Sequence, residues 1–388
     1  MCYDVVMDID SRTRRQNVRV IISETIMVVT VIITVIILAF LASGYWLSSG
    51  FKVERQGMLQ IHSTPTGADV EVDGDVLWLQ RTNTSKVLAS GNHQIVLTKE
   101  GYDSWGRTVT ISDGLLYRVN YPRLFLINRE RLNYYELAKN ITLNLPSPNH
   151  NYLLLGDDTA VYEILRLNSD QPETTELNLL SLKPSDSITK PSAQLFAETL
   201  PVLSWDSDSN LIATLDGAKY NINWRSSEIS TLIEKIKPEE EPELPGEIFH
   251  FYDEKYGALL DGNILTLYKK SQDAEEVFTA ELDFTPDTIK IGGSGGFVFM
   301  EADTNVAVLD MEIMTVVRWT LDSSDYGWLD SSMLYAIKDG TLIVYDFDGQ
   351  NRRELSDGIT ANSSVIITDN KWLHYLSGGY VVREIIAQ

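Results

Sequence analysis

The sequence predicts a mainly β fold: an N-terminal transmembrane helix, a small β-sandwich, then a β-propeller of about six blades. Three observations predict it. The run from Thr25 to Phe51 carries no charge and opens almost entirely in Val, Ile, Leu, Met, Ala, Phe and Thr. Residues 57–126 alternate apolar and polar positions at the two-residue period of a strand. Beyond residue 126, tight Asp/Gly turns between short apolar strands recur at intervals of about 40 residues.

The first element is read from length. A bilayer core about 30 Å thick takes roughly 20 helical residues to cross, so residues 25–47 are expected to span a membrane. Arg12, Arg14, Arg15 and Arg19 precede the run, and only Lys52 and Arg55 follow it closely. That asymmetry keeps residues 1–24 in the cytoplasm and sends the remainder outside a single-pass cell-membrane anchor. Tyr45 and Trp46 fall where the outer interface would lie. A cleaved signal peptide is the alternative, but its apolar region is about 7–15 residues and ends in a small-residue cleavage site, which Leu41-Ala42-Ser43-Gly44 does not match.

Charge and cysteine usage narrow the function classes. The chain has 388 residues and a formal net charge of -23. The four arginines before the span balance Asp4, Asp8, Asp10 and Glu24, so the negative charge lies beyond it. Such a surface repels nucleic acid and favours solubility. Cys2 is the only cysteine. The rest of the chain therefore has no internal disulfide, no cysteine-based zinc site and no thiol nucleophile.

In residues 57–126, Leu59 and Ile61 point to one face and Gln60 and His62 to the other. Val70 and Val72 alternate with Glu71 and Asp73, and Asp73-Gly74 signals a hairpin turn. Ile95 with Leu97 and Val109 with Ile111 continue the pattern, Asp113-Gly114 turns the chain, and Leu115 to Tyr121 returns as a last strand. An antiparallel sandwich or sheet is expected.

Ser63-Thr64-Pro65-Thr66-Gly67-Ala68, running into Asp69 to Gly74, resembles the opening of a PEGA domain. Gly91-Asn92-His93 resembles that family's Gly-x-His strand start, and Lys99-Glu100-Gly101-Tyr102 its Lys-x-Gly-Tyr turn. Thr66 stands where the family has Glu, and Trp78 lies in a segment that lacks the family's Gly…Thr-Pro. The resemblance implies a prokaryotic surface β module without known catalysis. Its motif residues here are Pro65, Thr66, Gly67, Ala68, Gly74, Gly91, His93, Gly101 and Tyr102. Physically, Pro65 presets φ, Gly67 relieves the turn and Ala68 allows close packing. His93 reads as a strand residue whose nitrogens find backbone partners, because no second ligand stands at metal spacing.

Residues 127–388 form the expected propeller. The second turn of each unit recurs at Asp157-Asp158, Asp216-Gly217, Asp261-Gly262, Ala302-Asp303, Asp339-Gly340 and Gly378-Gly379. Asn168 to Thr199 reads as an inserted polar loop. Residues 124–145 are expected to supply strands that pair with the last unit. The unit from Gly327-Trp328-Leu329-Asp330 to Arg353-Glu354-Leu355 resembles the repeat of TolB-type propellers, and Leu203 to Ser209 resembles another opening.

Several tempting sites fail on context. Gly292 to Gly296 matches G-x-S-x-G, but a nucleophile elbow needs a following helix. Asp206, Asp208 and Asn210 open like a calcium loop, yet Leu211 and Gly217 occupy the positions that require Gly and Glu. Glu239, Glu240, Glu241 and Glu243, set among prolines, read as a solvated loop. The expectation is therefore no catalytic residue, no metal and no cofactor. The expected role is binding or scaffolding at the cell envelope, with protein or glycan as partner. An extracytoplasmic hydrolase or lyase acting on envelope glycan is the alternative.

Overall fold

The computed structural model of the chain describes residues 23–39, 45–47, 53–138, 140–185, 188, 190–231, 248–250, 256–269, 275–291, 296–311 and 313–388. Residues 1–22 with Cys2, which carry most of the expected cytoplasmic tail, the glutamate-rich loop 239–243 and Gly292 to Gly295 of the G-x-S-x-G match lie outside the described residues. The chain divides into two units. The first comprises Met1–Thr98 and Gly106–Pro122, the second Lys99–Trp105 and Arg123–Gln388.

The expected membrane span is corrected. The described residues 23–39 are helical (α1). Tyr45–Leu47 (β1), inside the predicted span, is a strand paired antiparallel with Val53, Glu54 and Arg55. Among the described residues no helix is long and apolar enough to cross a membrane. The physical reason is that Tyr45–Leu47 takes its strand form from pairing with Val53–Arg55, a partner that hydropathy and length do not reveal. Thr30 and Thr34 donate their hydroxyls to the carbonyls of Ile26 and Thr30, both at 2.8 Å, within the helical part.

The strands of the first unit are β1, β2 (Val53–Ile61), β3 (Asp69–Val72), β4 (Asp75–Arg81), β5 (Thr84–Ala89), β6 (Gly91–Thr98), β7 (Trp105–Ile111) and β8 (Leu116–Val119), with Trp105 itself counted in the second unit. They make two sheets, β1-β2-β5 with β8 on β2, and β4-β3-β6-β7. The predicted alternation holds: Leu59, Ile61, Val70, Val72, Ile95, Leu97, Val109 and Ile111 are buried. Asp73 and Gly74 adopt positive φ, 54° and 87°, as a two-residue hairpin turn requires. One pairing departs from the antiparallel expectation. The strand β8 lies parallel to β2, because the chain reaches it from β7 in the other sheet.

In the second unit the described strands form successive small sheets. Here β9 is Arg131–Glu136, and Leu143–Pro146 (β10), Tyr152–Gly156 (β11), Val161–Arg166 (β12) and Glu173–Asn178 (β13) make one sheet. The next contains Lys183–Pro184 (β14), Val202–Ser207 (β15), Asn210–Leu215 (β16), Ala218–Asn223 (β17) and Glu228–Thr231 (β18), in the order β14-β18-β17-β16-β15. Four-stranded sheets follow over residues 248–281, 288–320 and 326–356, and a last one joins Ile366–Thr368, Trp372–Ser377 and Tyr380–Ile385 to β9. The expected propeller of about six blades is corrected to this set of separate small sheets, none of them closed. The Asp/Gly turns specify hairpins locally, and a recurring hairpin does not by itself determine closure. The strand expected from residues 124–145 does pair with the end of the chain, Val382 lying opposite Asn133.

Candidate functional site

A polar concavity of the second unit is built on the β14-β18-β17-β16 face. Asp216 and Gly217, at φ 49° and 80°, turn β16 into β17. The carboxamide oxygen of Asn223 accepts from the backbone N–H groups of Arg225 and Ser226, both at 3.1 Å, and so turns β17 into β18. Backbone N–H groups of Lys183 and Ser185 then donate to Ser227 and Ile229 carbonyls at 2.8 and 2.9 Å, docking β14 parallel to β18.

Strand alternation sorts the two faces. Leu211, Ala213, Ile222 and Ile229 are buried in a core with Leu154, Tyr162 and Phe196. On the other face Ile212 is apolar, while Asn210, Asn221, Asn223, Glu228 and Ser230 carry amides, a hydroxyl and a charge. Across the sheet Asn210 stands opposite Asn223, Asn223 opposite Glu228, and Glu228 opposite Lys183. One step along, Asn221 stands opposite Ser230. Lys183, Ser185, Asn210, Asn221, Asn223, Glu228 and Ser230 line an open basin of about 530 Å³, with Pro184 and Ile229 as its apolar members. That volume lies within the roughly 300–1,000 Å³ of small-molecule sites. Among the described residues the side chains of Asn210 and Asn221 make no hydrogen bond, and the Asn221 carboxamide oxygen is buried without a partner.

The predicted motif residues do not converge on one site. In the first unit Ala68 is fully buried, and its N–H donates to the Thr82 hydroxyl at 3.0 Å. The Ser63 hydroxyl lies 2.7 Å from both the Thr82 hydroxyl and the Pro65 carbonyl, which fastens the turn containing Thr66 and Gly67. Gly67, Gly74 and Gly91 all hold positive φ. His93 contacts the Asp73 carboxylate through Nδ1 at 2.6 Å and the Ala89 carbonyl through Nε2 at 2.7 Å. Both partners are acceptors, so this geometry suits the doubly protonated imidazolium. Burial pulls the His93 pKa down, but the two acceptors outweigh it and the net shift is upward. Of the predicted partners, Ala89 is backbone as expected and Asp73 is an added carboxylate.

Gly101 and Tyr102 belong to the second unit. The Tyr102 backbone bridges to Leu126, and its hydroxyl accepts from the Gln388 N–H at 2.9 Å. Of the calcium-like trio, Asp208 accepts from Asn151 at 2.8 Å while Asn210 lines the basin. Among the described residues no group of three or more His, Cys, Asp or Glu side chains stands together as a metal site.

Among the described residues, Asp346 is the carboxyl whose pKa is raised. Burial pushes its pKa up to about 6, against hydrogen bonds from Trp105 and Asn351. It lies away from the basin lining. The basin residues were missed at the level of sequence. Their one signal is the alternation of Asn221 and Asn223 with Tyr220 and Ile222, since Asn is depleted in strands.

A PEGA domain profile matches residues 56–123. No curated protein matches the chain. Among solved structures, the chain is similar to Hsv2p of Kluyveromyces lactis, with 8% identity, a TM-score of 0.34, and coverage of 64% of this chain and 98% of that one. A structure described as KlHsv2 with loop 6CD replaced by a Gly-Ser linker gives 10% identity, a TM-score of 0.33, and coverage of 64% and 97%.

Proposed function

We propose that this chain is an extracytoplasmic binding or scaffold protein of the cell envelope, recognising protein or glycan, and not an enzyme. The PEGA domain at residues 56–123 and the β-rich fold fit such a role, and PEGA domains are typically extracellular. The observation that carries the reading is the basin on β14, β16, β17 and β18. Its carboxamides and hydroxyls hydrogen-bond well and react poorly, and its two charged residues have opposite signs. The carboxyl with the strongly raised pKa, Asp346, is shut in by Trp105 and Asn351 rather than presented to a substrate. The net charge of -23 disfavours nucleic acid as a partner.

The test is sedimentation of the purified full chain with isolated envelopes of the organism that makes it. Saturable association with no release of cleaved product is expected. Absence of saturable association, or release of glycan or peptide fragments, overturns the reading.

A further inference from the structure

We infer that the basin holds a neutral, polyhydroxylated ligand: a sugar residue of an envelope glycan. The inference rests on the binding role proposed above and adds the ligand class and its site.

The lining decides the chemistry by elimination. An apolar ligand would find only Pro184, since the Ile229 side chain is buried in the core behind the sheet. An anion would find one cation, Lys183. A hard cation needs 6–8 oxygen ligands, usually with several carboxylates, and Glu228 is the one carboxylate present. Lys183 and Glu228 are register partners on adjacent strands, so their charges offset each other locally. What remains is a two-dimensional array of groups that both donate and accept. Each carboxamide offers an acceptor oxygen and two N–H donors, and each hydroxyl does both. A sugar hydroxyl has the same dual character.

The array has unspent capacity where a ligand would need it. Asn223 uses its oxygen on the Arg225 and Ser226 N–H groups, and its amide nitrogen carries no hydrogen bond among the described residues. Asn210 and Asn221 use neither end. The buried, partnerless oxygen of Asn221 lacks the partner that nearly all buried polar atoms have. Rows about 4.8 Å apart on neighbouring strands present these groups along two directions of one surface. A ring bearing hydroxyls on several edges meets such a surface better than an extended peptide does, because a peptide also needs pockets for its apolar side chains.

The experiment is saturation-transfer NMR and titration calorimetry on the full chain. The neutral probes are maltotriose, mannotriose and the trimer of N-acetylglucosamine. The comparison probes are trigalacturonate as an acidic sugar, a glucosamine trimer as a cationic one, and a Gly-Ser-Asn tripeptide repeat. Saturable binding of at least one neutral trisaccharide is expected, tighter than either charged sugar. Asn221→Leu and Asn210→Ala should each weaken it at least tenfold, while Asn133→Ala on β9 leaves it unchanged. Thermal unfolding confirms that each variant is folded. Should Asn221→Leu fail to fold, Asn210→Ala at the strand start decides the matter alone.

Absence of binding to all three neutral probes overturns the inference. So does tighter binding of a charged sugar or the peptide, or neutral-sugar binding that ignores both basin variants. If the chain sediments with envelopes yet binds no neutral sugar, the ligand class is wrong and the binding role stands. If it does neither, both fall.

Discussion

The indole N–H of Trp105 donates to a carboxylate oxygen of Asp346 at 2.8 Å, across 241 positions of the chain. Both side chains are buried within the second unit. Asn351 donates to the same oxygen at 2.8 Å, and the other carboxylate oxygen has no partner. Burial is the main cause that lifts the Asp346 pKa to about 6, with Asp348 adding to it and Trp105, Asn351 and Arg353 opposing it.

That geometry predicts a pH dependence. An unfolded aspartate titrates near 3.9, so between about pH 4 and pH 6 the folded state holds a proton that the unfolded state has released. Stability therefore falls as pH rises through that window, and the full penalty applies above about 6. The rise from near 3.9 to about 6 corresponds to about 3 kcal/mol. Asp346→Asn keeps an acceptor for Trp105 and removes the charge. Urea unfolding of the two proteins at pH 4 and pH 7.5 should show the variant gaining about 3 kcal/mol on the wild type across the interval. A constant difference between them would contradict the assignment.

His93 and Asp73 should titrate as a pair with opposite shifts. The Asp73 pKa is lowered, first by the hydrogen bond to His93 and then by the Gln94 N–H. The raised His93 pKa means its stabilisation is complete below the unfolded value near 6.5 and is lost as pH rises through the folded value. On the Asp73 side, stabilisation is present above about 3.9 and lost as pH falls through the lowered value. Asp73 is about half exposed, with side-chain accessibility of 48%, so the pair contributes within about 1 kcal/mol. In Asp73→Asn, imidazole proton NMR should report a lower His93 pKa with little change in melting temperature.

Gly57 tests the packing of the first unit. A Cβ there would sit 2.4 Å from the Ser112 carbonyl oxygen and 2.6 Å from a methyl of Ile111. The carbonyl is backbone and cannot swing aside. Gly57→Ala is expected to cost about 1–3 kcal/mol, the usual range for overpacking. Gly74→Ala differs in kind: nothing lies within 4 Å, and its cost comes from φ of 87°. Thermal unfolding of both variants separates a steric cause from a conformational one, because Gly74→Asn should recover much of the Ala loss and Gly57→Asn none.

Turns and alternation were the legible part of this fold. Asp73-Gly74, Asp216-Gly217 and Asp339-Gly340 all turn hairpins at positive φ, since the chemistry of a two-residue turn is local. Leu59 with Ile61 and Val70 with Val72 are buried as their period requires. What depended on distant partners was not legible. Tyr45–Leu47 became a strand because Val53–Arg55 pairs with it, and its own composition carries no sign of that. The separate sheets of the second unit share one hairpin chemistry that leaves closure undetermined. The basin exists because β14 docks beside β18, Lys183 against Glu228. An intervening segment of that length has no pattern that announces a parallel contact. Asn221 was visible as a strand residue, but its partnerless oxygen is a property of the assembled sheet.

Glu384 joins four elements of the second unit through one carboxylate. One oxygen accepts from Arg129 Nε at 2.8 Å, and the other accepts from the hydroxyls of Tyr375, at 2.7 Å, and Ser356. Arg129 also donates to the Leu126 and Leu355 carbonyls. Glu384 and Tyr375 are almost fully buried, so removal of the carboxylate takes the counter-charge from Arg129 and the acceptor from the Tyr375 and Ser356 hydroxyls. Truncating one member of a buried ion pair costs about 3–5 kcal/mol, and that is the expectation for Glu384→Ala by urea unfolding. Tyr375→Phe removes one donor to a charged acceptor and should cost about 1.5–3 kcal/mol. The two losses share a bond, so the double variant should fall short of their sum by 0.5 kcal/mol or more, as about 0.5–3 kcal/mol is typical of contacting residues. Strict additivity would mean that Tyr375 and Glu384 do not interact in solution.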